Sequence, residues 1–351
     1  MKHNWRTNIL ILVAIVFIDA SADCIASDRV SYSVGVGGGT TSAIANAITE
    51  SMWTPASRFS FNHPNIVVSP NTIDSIKLFC SDGIGTLDML VTVTPINMDM
   101  GLCIKHEIGE VFQARLGFYT IVLAQKRTDE TLQLTTNQIY RAFAEKIPAR
   151  EIGHYDFKVN NSVNWSDVDT ELPSQKIGLI ASSVGSGSYV LFKNEAMIDG
   201  CRSEDAIKAI YDPTDRELLC TTIDSEKINQ KTDDDDEKVR ALMISPPGTL
   251  LVVSRPVIEQ YRSLLKVIKI NGFLPDSYNI TNEDYTLTVP IYLYLKKKSI
   301  TGGSERAGSI INWFKRALDE KTIGTDGLLE HAGLEVLPLS IRYAQRLTFP
   351  Y

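Results

Sequence analysis

Residues 183–192 read "SVGSGSYVLF", in which the hydroxyls of Ser186 and Ser188 alternate with Gly185 and Gly187 ahead of an apolar run. Glycine lets a backbone approach a ligand closely, and serine hydroxyls donate hydrogen bonds. The first turn of a helix adds unpaired N–H groups at the positive end of its dipole. Together these groups suit an anion. A second reading is a plain helix cap, with Ser186 as N-cap of the helix holding Leu191 and Phe192. A third, a nucleophile loop, requires G-x-S-x-G and a nearby base. The chain offers S-V-G-S-G, and His63, His106, His154 and His331 are scattered. The hydrolase is therefore set aside, and cap and anion cradle both stay open.

A related arrangement opens the chain beyond its leader. In "SYSVGVGGGTTSAIANAITESMW", Ser31 to Val36 alternates as a strand, glycines make the turn, and Thr40 onward reads as a helix. Ile44, Ala47, Ile48 and Met52 share one face of it. The turn lacks the lysine of a Walker A loop and the third glycine of G-x-G-x-x-G, so nucleotide chemistry is poorly supported. A glycine turn that only saves space fits as well as one that admits an anion.

The elements that would hold these loops alternate between strand and helix. A helix is expected from Asn71-Thr72, with Ile73, Ile76, Lys77 and Phe79 following. Strands are expected at "LDMLVTVTPI" (87–96), "LGFYTIVLAQ" (116–125), "KIGLIASS" (176–183) and "YTLTVPIYLYLKK" (285–297). "LTTNQIYRAFAEKIP" (134–148) reads as a helix capped by Thr135 or Thr136 and stopped by Pro148. Another helix spans about Ser304 to Lys321, and a short piece surrounds Leu334 to Leu339. Such alternation implies an α/β fold with largely parallel sheets. "TDDDDEKVR" (232–240) reads as a solvated helix start, because acids suit a first turn. It lacks the spaced oxygen ligands of a calcium loop.

Lys2 and Arg6 precede an unbroken apolar run from Ile9 to Ile18, and Ala20-Ser21-Ala22 has the shape of a cleavage site. The run is far shorter than the roughly 20 residues that span a bilayer. Residues 1–22 are thus expected to be a secretory signal peptide. Ser21 and Asp23 make a poor lipobox around Cys24, so a released product is expected. Losing Lys2, Arg6 and Asp19 moves the formal charge from −7 to −8. So acidic a body is a poor partner for nucleic acid phosphates. Four of the five cysteines fall into close pairs, Cys80 with Cys103 and Cys201 with Cys220. Two local disulfides are expected after export. No C-x-x-C occurs, and no metal site is expected.

The segments "GGGTT", "KLFCSDGIGTLDMLVTVTPI", "LGFYTIVLAQ", "LTTNQIYRAFAEKIP", "GSGSYVLF", "TLTVPIYLYLKK" and "GTDGLLEHAGLEVLPL" occur in this order over nearly all of the mature chain. In this order the chain resembles the periplasmic phosphate-binding proteins of the high-affinity phosphate ABC transporter. The resemblance implies an α/β, type II periplasmic-binding-protein fold, with two lobes joined by two hinge strands and a ligand cleft between them. Lobe I would comprise 23–116 plus 286–351, and lobe II 117–285. It further implies a monomeric periplasmic binding protein rather than an enzyme, without a cofactor. Its partners would be inorganic phosphate, or a similar oxyanion, and an ABC permease in the inner membrane.

The same resemblance assigns the ligand-binding set to Gly39, Thr40, Thr41, Thr72, Thr94, Ser186, Gly187 and Ser188. The family's Ser-Gly-Thr is here Ser186-Gly187-Ser188, which keeps the hydroxyl. Where the family keeps an arginine near that loop, this chain has Tyr189 or Ser182, and Thr94 takes a place that is often charged. Lys77 or Asp74 could compensate. A grip by neutral donors alone is expected, weaker for phosphate and less able to reject sulfate. The alternative is a non-transport interaction or signalling protein with a degenerate site.

Overall fold

The computed structural model describes residues 31–37, 39–52, 64–69, 71–81, 86–96, 103, 105–149, 156–184 and 186–349. The leader 1–22, Cys24, His63 and His154 lie outside the described residues. Strand β1 (Tyr32–Gly37) runs parallel to β2 (Pro64–Ser69) and to β3 (Met89–Thr92). Helix α1 (Gly39–Ser51) follows β1, and α2 (Thr72–Phe79) follows β2. The second group is built alike. Strand β5 (Gly178–Ala181) runs parallel to β6 (Ile228–Lys231) and to β7 (Thr249–Ser254).

Two long antiparallel strands join the groups: β4 (Val111–Lys126) and β8 (Thr288–Lys296). The sheet order is β2-β1-β3-β8-β4-β7-β5-β6. Residues 111–120 of β4 pair with β8, and Ile121 to Ala124 then pair with β7. One strand therefore belongs to both halves. Its register against β8 slips between Gly117 and Arg115, leaving Leu116 as a bulge.

Each half buries its own core. Val34, Val36, Ile44, Ile48, Leu293, Trp313 and Phe314 form one, in which helix α1 presents the face read from its periodicity. Trp165, Phe143, Phe192, Leu179 and Val252 form another. There Phe143 meets Trp165 edge to face, with centroids 5.8 Å apart, and the Trp165 Nε1–H donates to Gly248 O at 2.8 Å. This pairing satisfies the one polar atom of a fully buried indole.

Both expected disulfides are present, Cys80–Cys103 and Cys201–Cys220, with Cα atoms 4.5 and 5.4 Å apart. Helix α2 has Asn71 as its N-cap, accepting from the Asp74 N–H. Some boundaries differ from those expected. Helix α3 (Thr136–Phe143), capped by Thr135, ends well before Pro148. Ala144 is extended and bridges Ile223, and Lys146–Pro148 becomes a strand paired with Phe157–Val159. Tertiary pairing stops this helix, not proline. The expected helix over 304–321 breaks after Ala317, because Asp319 caps a new turn, Glu320–Ile323. A further helix, Leu339–Thr348, follows the short strand Leu334–Glu335.

Candidate functional site

Ligands in open α/β sheets bind beyond the carboxyl ends of parallel strands. In this chain those ends are occupied by the loops singled out above. The carboxyl end of β1 leads to Gly39, Thr40 and the start of α1. Gly37 lets the start of α2 press against β1, since a Cβ there would sit 2.6 Å from the Thr72 Cα. The Thr72 hydroxyl is 3.5 Å from the Gly37 carbonyl oxygen, a long contact. On the opposite side, β5 leads through Ser182 and Ser183 to Ser186, Gly187 and Ser188. Helix α4 (Gly187–Leu191) continues without interruption through a π-helical stretch, Phe192–Ile198.

The two sides touch. A Cβ on Gly187 would overlap the Thr40 hydroxyl oxygen, so only glycine permits this approach. Between them stands Tyr119, on β4. Its ring edge approaches Gly187, and its phenol interacts with the hydroxyls of Thr40 and Ser188. Burial pushes this phenol above its usual range, with the nearby Asp235 carboxylate adding to the rise and the two hydroxyls opposing it. Tyr119 thus remains a neutral hydroxyl at ordinary pH. Ser188 Oγ donates to Ser182 Oγ at 2.8 Å and lies 3.5 Å from Ser186 Oγ. A line of hydroxyls therefore runs Thr40, Tyr119, Ser188, Ser182, from the first half of the chain to the second.

The cap reading is present in the structure. Ser186 accepts from the Tyr189 N–H at 3.3 Å and is the N-cap of α4. Ser188 is the member engaged with Tyr119. Thr41 is buried in α1. Thr94 is exposed, and the hydrogen bonds described for it reach only the Thr92 hydroxyl. The structure therefore brings Thr40, Ser186, Gly187 and Ser188 together, sets Thr72 against Gly37, and gives Thr94 no tie to the Tyr119 line.

Charge enters from an unexpected direction. The acidic run caps α5 (Asp235–Ile244), with Asp234 accepting from the Glu237 N–H at 2.8 Å. It is a helix start, as expected, but it is also wired into the site loop. Asp233 accepts from the Ser183 N–H at 3.0 Å. Lys238, with its side chain 4% exposed, places Nζ 3.1 Å from Ser182 Oγ and 2.6 Å from an Asp235 carboxylate oxygen. This ammonium stands behind the hydroxyls that the sequence offers as neutral donors. Lys77 and Asp74 pair with each other at 3.3 Å on an exposed face of α2. Where the arginine was missed at Tyr189, the Lys231 ammonium lies 5.7 Å from the ring centroid.

No protein-family model and no curated protein matches the chain by sequence. Solved structures match it in shape. One is described as a possible phosphate binding protein from Planctomyces limnophilus, at TM-score 0.66 and 16% identity, covering 91% of this chain and 97% of that one. PstS from Borrelia burgdorferi matches at TM-score 0.57 and 12% identity, covering 88% and 99%. An ABC-type phosphate transport receptor from Vibrio cholerae matches at 0.55 and 13%, covering 87% and 100%. The chain has the two-lobed periplasmic-binding-protein fold. In a periplasmic binding protein the lobes close by hinge motion around a ligand. Here the strand that pairs in both halves itself contributes Tyr119.

Tyr119 and Lys238 were not foreseen. Tyr119 was hidden inside an apolar strand, where its hydroxyl had no sequence-local partner. Lys238 was masked by four aspartates, and the short strand Ile228–Lys231 that aims this segment at the site was not recognised. A helix start directly after a parallel strand was the available signal.

Proposed function

We propose that this chain is a secreted solute-binding protein that captures phosphate, or a similar oxyanion, between its lobes for an ABC import system. Cleavage after Ala22 would release it to the periplasm. Lobe I would comprise residues 23–116 plus 286–351, and lobe II 117–285. The Leu116 bulge favours this division, as does the change of core beside it, with Leu116 in the first core and Phe118 in the second.

One observation carries the reading: Gly187 brings the second loop against the Thr40 hydroxyl, with the Tyr119 ring beside both, where loops from both halves meet. Thr40, Tyr119, Ser186 and Ser188 are all hydroxyls, and neutral donors hold an oxyanion without needing to be ionised themselves. Entry of an oxyanion would exchange hydroxyl–hydroxyl bonds for charge-assisted ones, each about twice as strong. The structural neighbours named for phosphate binding and transport favour phosphate as the anion.

Thermal unfolding with added anion tests this directly. A ligand held only by the folded state stabilises it by about 2.7 kcal/mol at a hundred times Kd. The melting temperature should rise progressively with phosphate and fall short of that rise with equimolar sulfate. No change with any tetrahedral oxyanion would hand the case to the non-transport alternative.

A further inference from the structure

The line of hydroxyls ends on a buried cation. Lys238 belongs to α5, its side chain is 4% exposed, and its described partners are Ser182 Oγ at 3.1 Å and Asp235 at 2.6 Å. Burying an ammonium is costly unless it is paired, and here the paired carboxylate side chain is 44% exposed, so the pair is only partly shielded. Structural economy would favour a lysine that reached water. Instead the ammonium points at the one serine that receives Ser188.

We propose that Lys238 is the residue that supplies positive charge to the interlobe anion site, acting through Ser182 and Ser188, with Asp235 as its counter-charge. The proposal rests on the oxyanion reading above and deepens it. Hydroxyl hydrogens rotate freely, so the line can reverse direction. In the structure Ser188 donates to Ser182. With an anion present, Lys238 donates to Ser182, Ser182 to Ser188, and Ser188 to the anion. Each donor in such a chain is polarised by the one before it, and the ammonium at its head makes the last hydroxyl a stronger donor. Lys238 is thus a positioning and charging residue, not one that must touch the ligand. Asp235 opposes it: its carboxylate draws on the ammonium and places negative charge near Tyr119.

The two residues should therefore act with opposite sign on affinity, which a purely structural ion pair would not do. Inorganic phosphate is titrated calorimetrically into the wild-type protein and into Lys238→Met, Lys238→Arg and Asp235→Asn. Truncating a buried charged partner weakens binding by about 30-fold or more. Lys238→Met should lose at least that much, Lys238→Arg should stay within a few-fold of wild type, and Asp235→Asn should bind as tightly or more tightly. Binding by Lys238→Met within about threefold of wild type would overturn the proposal. So would an Asp235→Asn loss matching that of Lys238→Met, which would mean the pair is scaffolding. Should Lys238→Met fail to fold, the sign of the Asp235→Asn effect and the Lys238→Arg arm decide alone. Absence of phosphate binding by the wild-type protein would overturn the oxyanion reading itself, and the proposal with it.

Discussion

Gly187→Val should weaken phosphate binding by about 100-fold or more while leaving the unfolding transition close to that of the wild type. In the structure a Cβ at position 187 would overlap the Thr40 hydroxyl, and the Tyr119 ring edge lies 3.7 Å from the same point. A branched side chain there would wedge the loops apart. Position 187 opens helix α4, where valine is tolerated and no left-handed backbone is required. The cost falls on approach, not on folding. With the loops held apart, at least two donors from one side would fail to reach an anion seated on the other. Hydrogen bonds to charged groups contribute about 1.5–3 kcal/mol each, and each 1.4 kcal/mol is tenfold in affinity. Calorimetry gives the affinity and denaturant unfolding gives the stability. Wild-type affinity in Gly187→Val would show that the Thr40–Gly187 contact has no part in binding.

Arg306→Met should have the largest effect on stability, a loss of about 3–5 kcal/mol. Asp88 is nearly inaccessible and accepts both contacts of Arg306 Nη2, at 2.6 and 2.7 Å. It also accepts from the Ser33 N–H at 2.8 Å. This knot ties helix α6 (Glu305–Ala317) to the approach to β3 and the start of β1. Removing the guanidinium leaves a buried carboxylate with only the serine donors, and the buried Tyr32 phenol beside it already feels that charge. Adding Asp88→Asn to Arg306→Met should recover part of the loss, because it removes the orphaned charge. Urea unfolding of the wild type and the two variants measures both effects. Since Ser33 stands at the opposite end of β1 from Thr40, phosphate affinity should change little. A loss below 1 kcal/mol in Arg306→Met would show that water screens Asp88 well enough without its partner.

Much of the frame was legible because it depends on local pattern. The Ile44 and Ile48 periodicity, the helix starts near Asn71 and at Thr135 or Thr136, and the cysteine spacings each describe one segment and needed no partner. Other features depend on what arrives from elsewhere. Ala144 is pulled out of helix by Ile223, far along the chain, so Pro148 was a misleading stop signal. The C-terminal helix Leu339–Thr348 reverses the usual pattern: Arg342 is buried against Leu337 and Glu320, while Leu339, Tyr343 and Leu347 are exposed. Hydrophobic periodicity points the wrong way there. The site divides along the same line. Ser186 and Ser188 announced themselves through neighbouring glycines and a following helix. Tyr119 and Lys238 acquire a role only when β4, β5 and β6 bring distant loops together, which no single-segment pattern records.

The most direct test of the account is a crystal structure of the phosphate-loaded protein. Phosphate should lie between the two lobes, with its oxygens within hydrogen-bond distance of the hydroxyls of Thr40 and Ser188 and with Tyr119 beside them. Phosphate bound on one lobe alone, with the Thr40–Tyr119–Ser188 line unchanged, would contradict it.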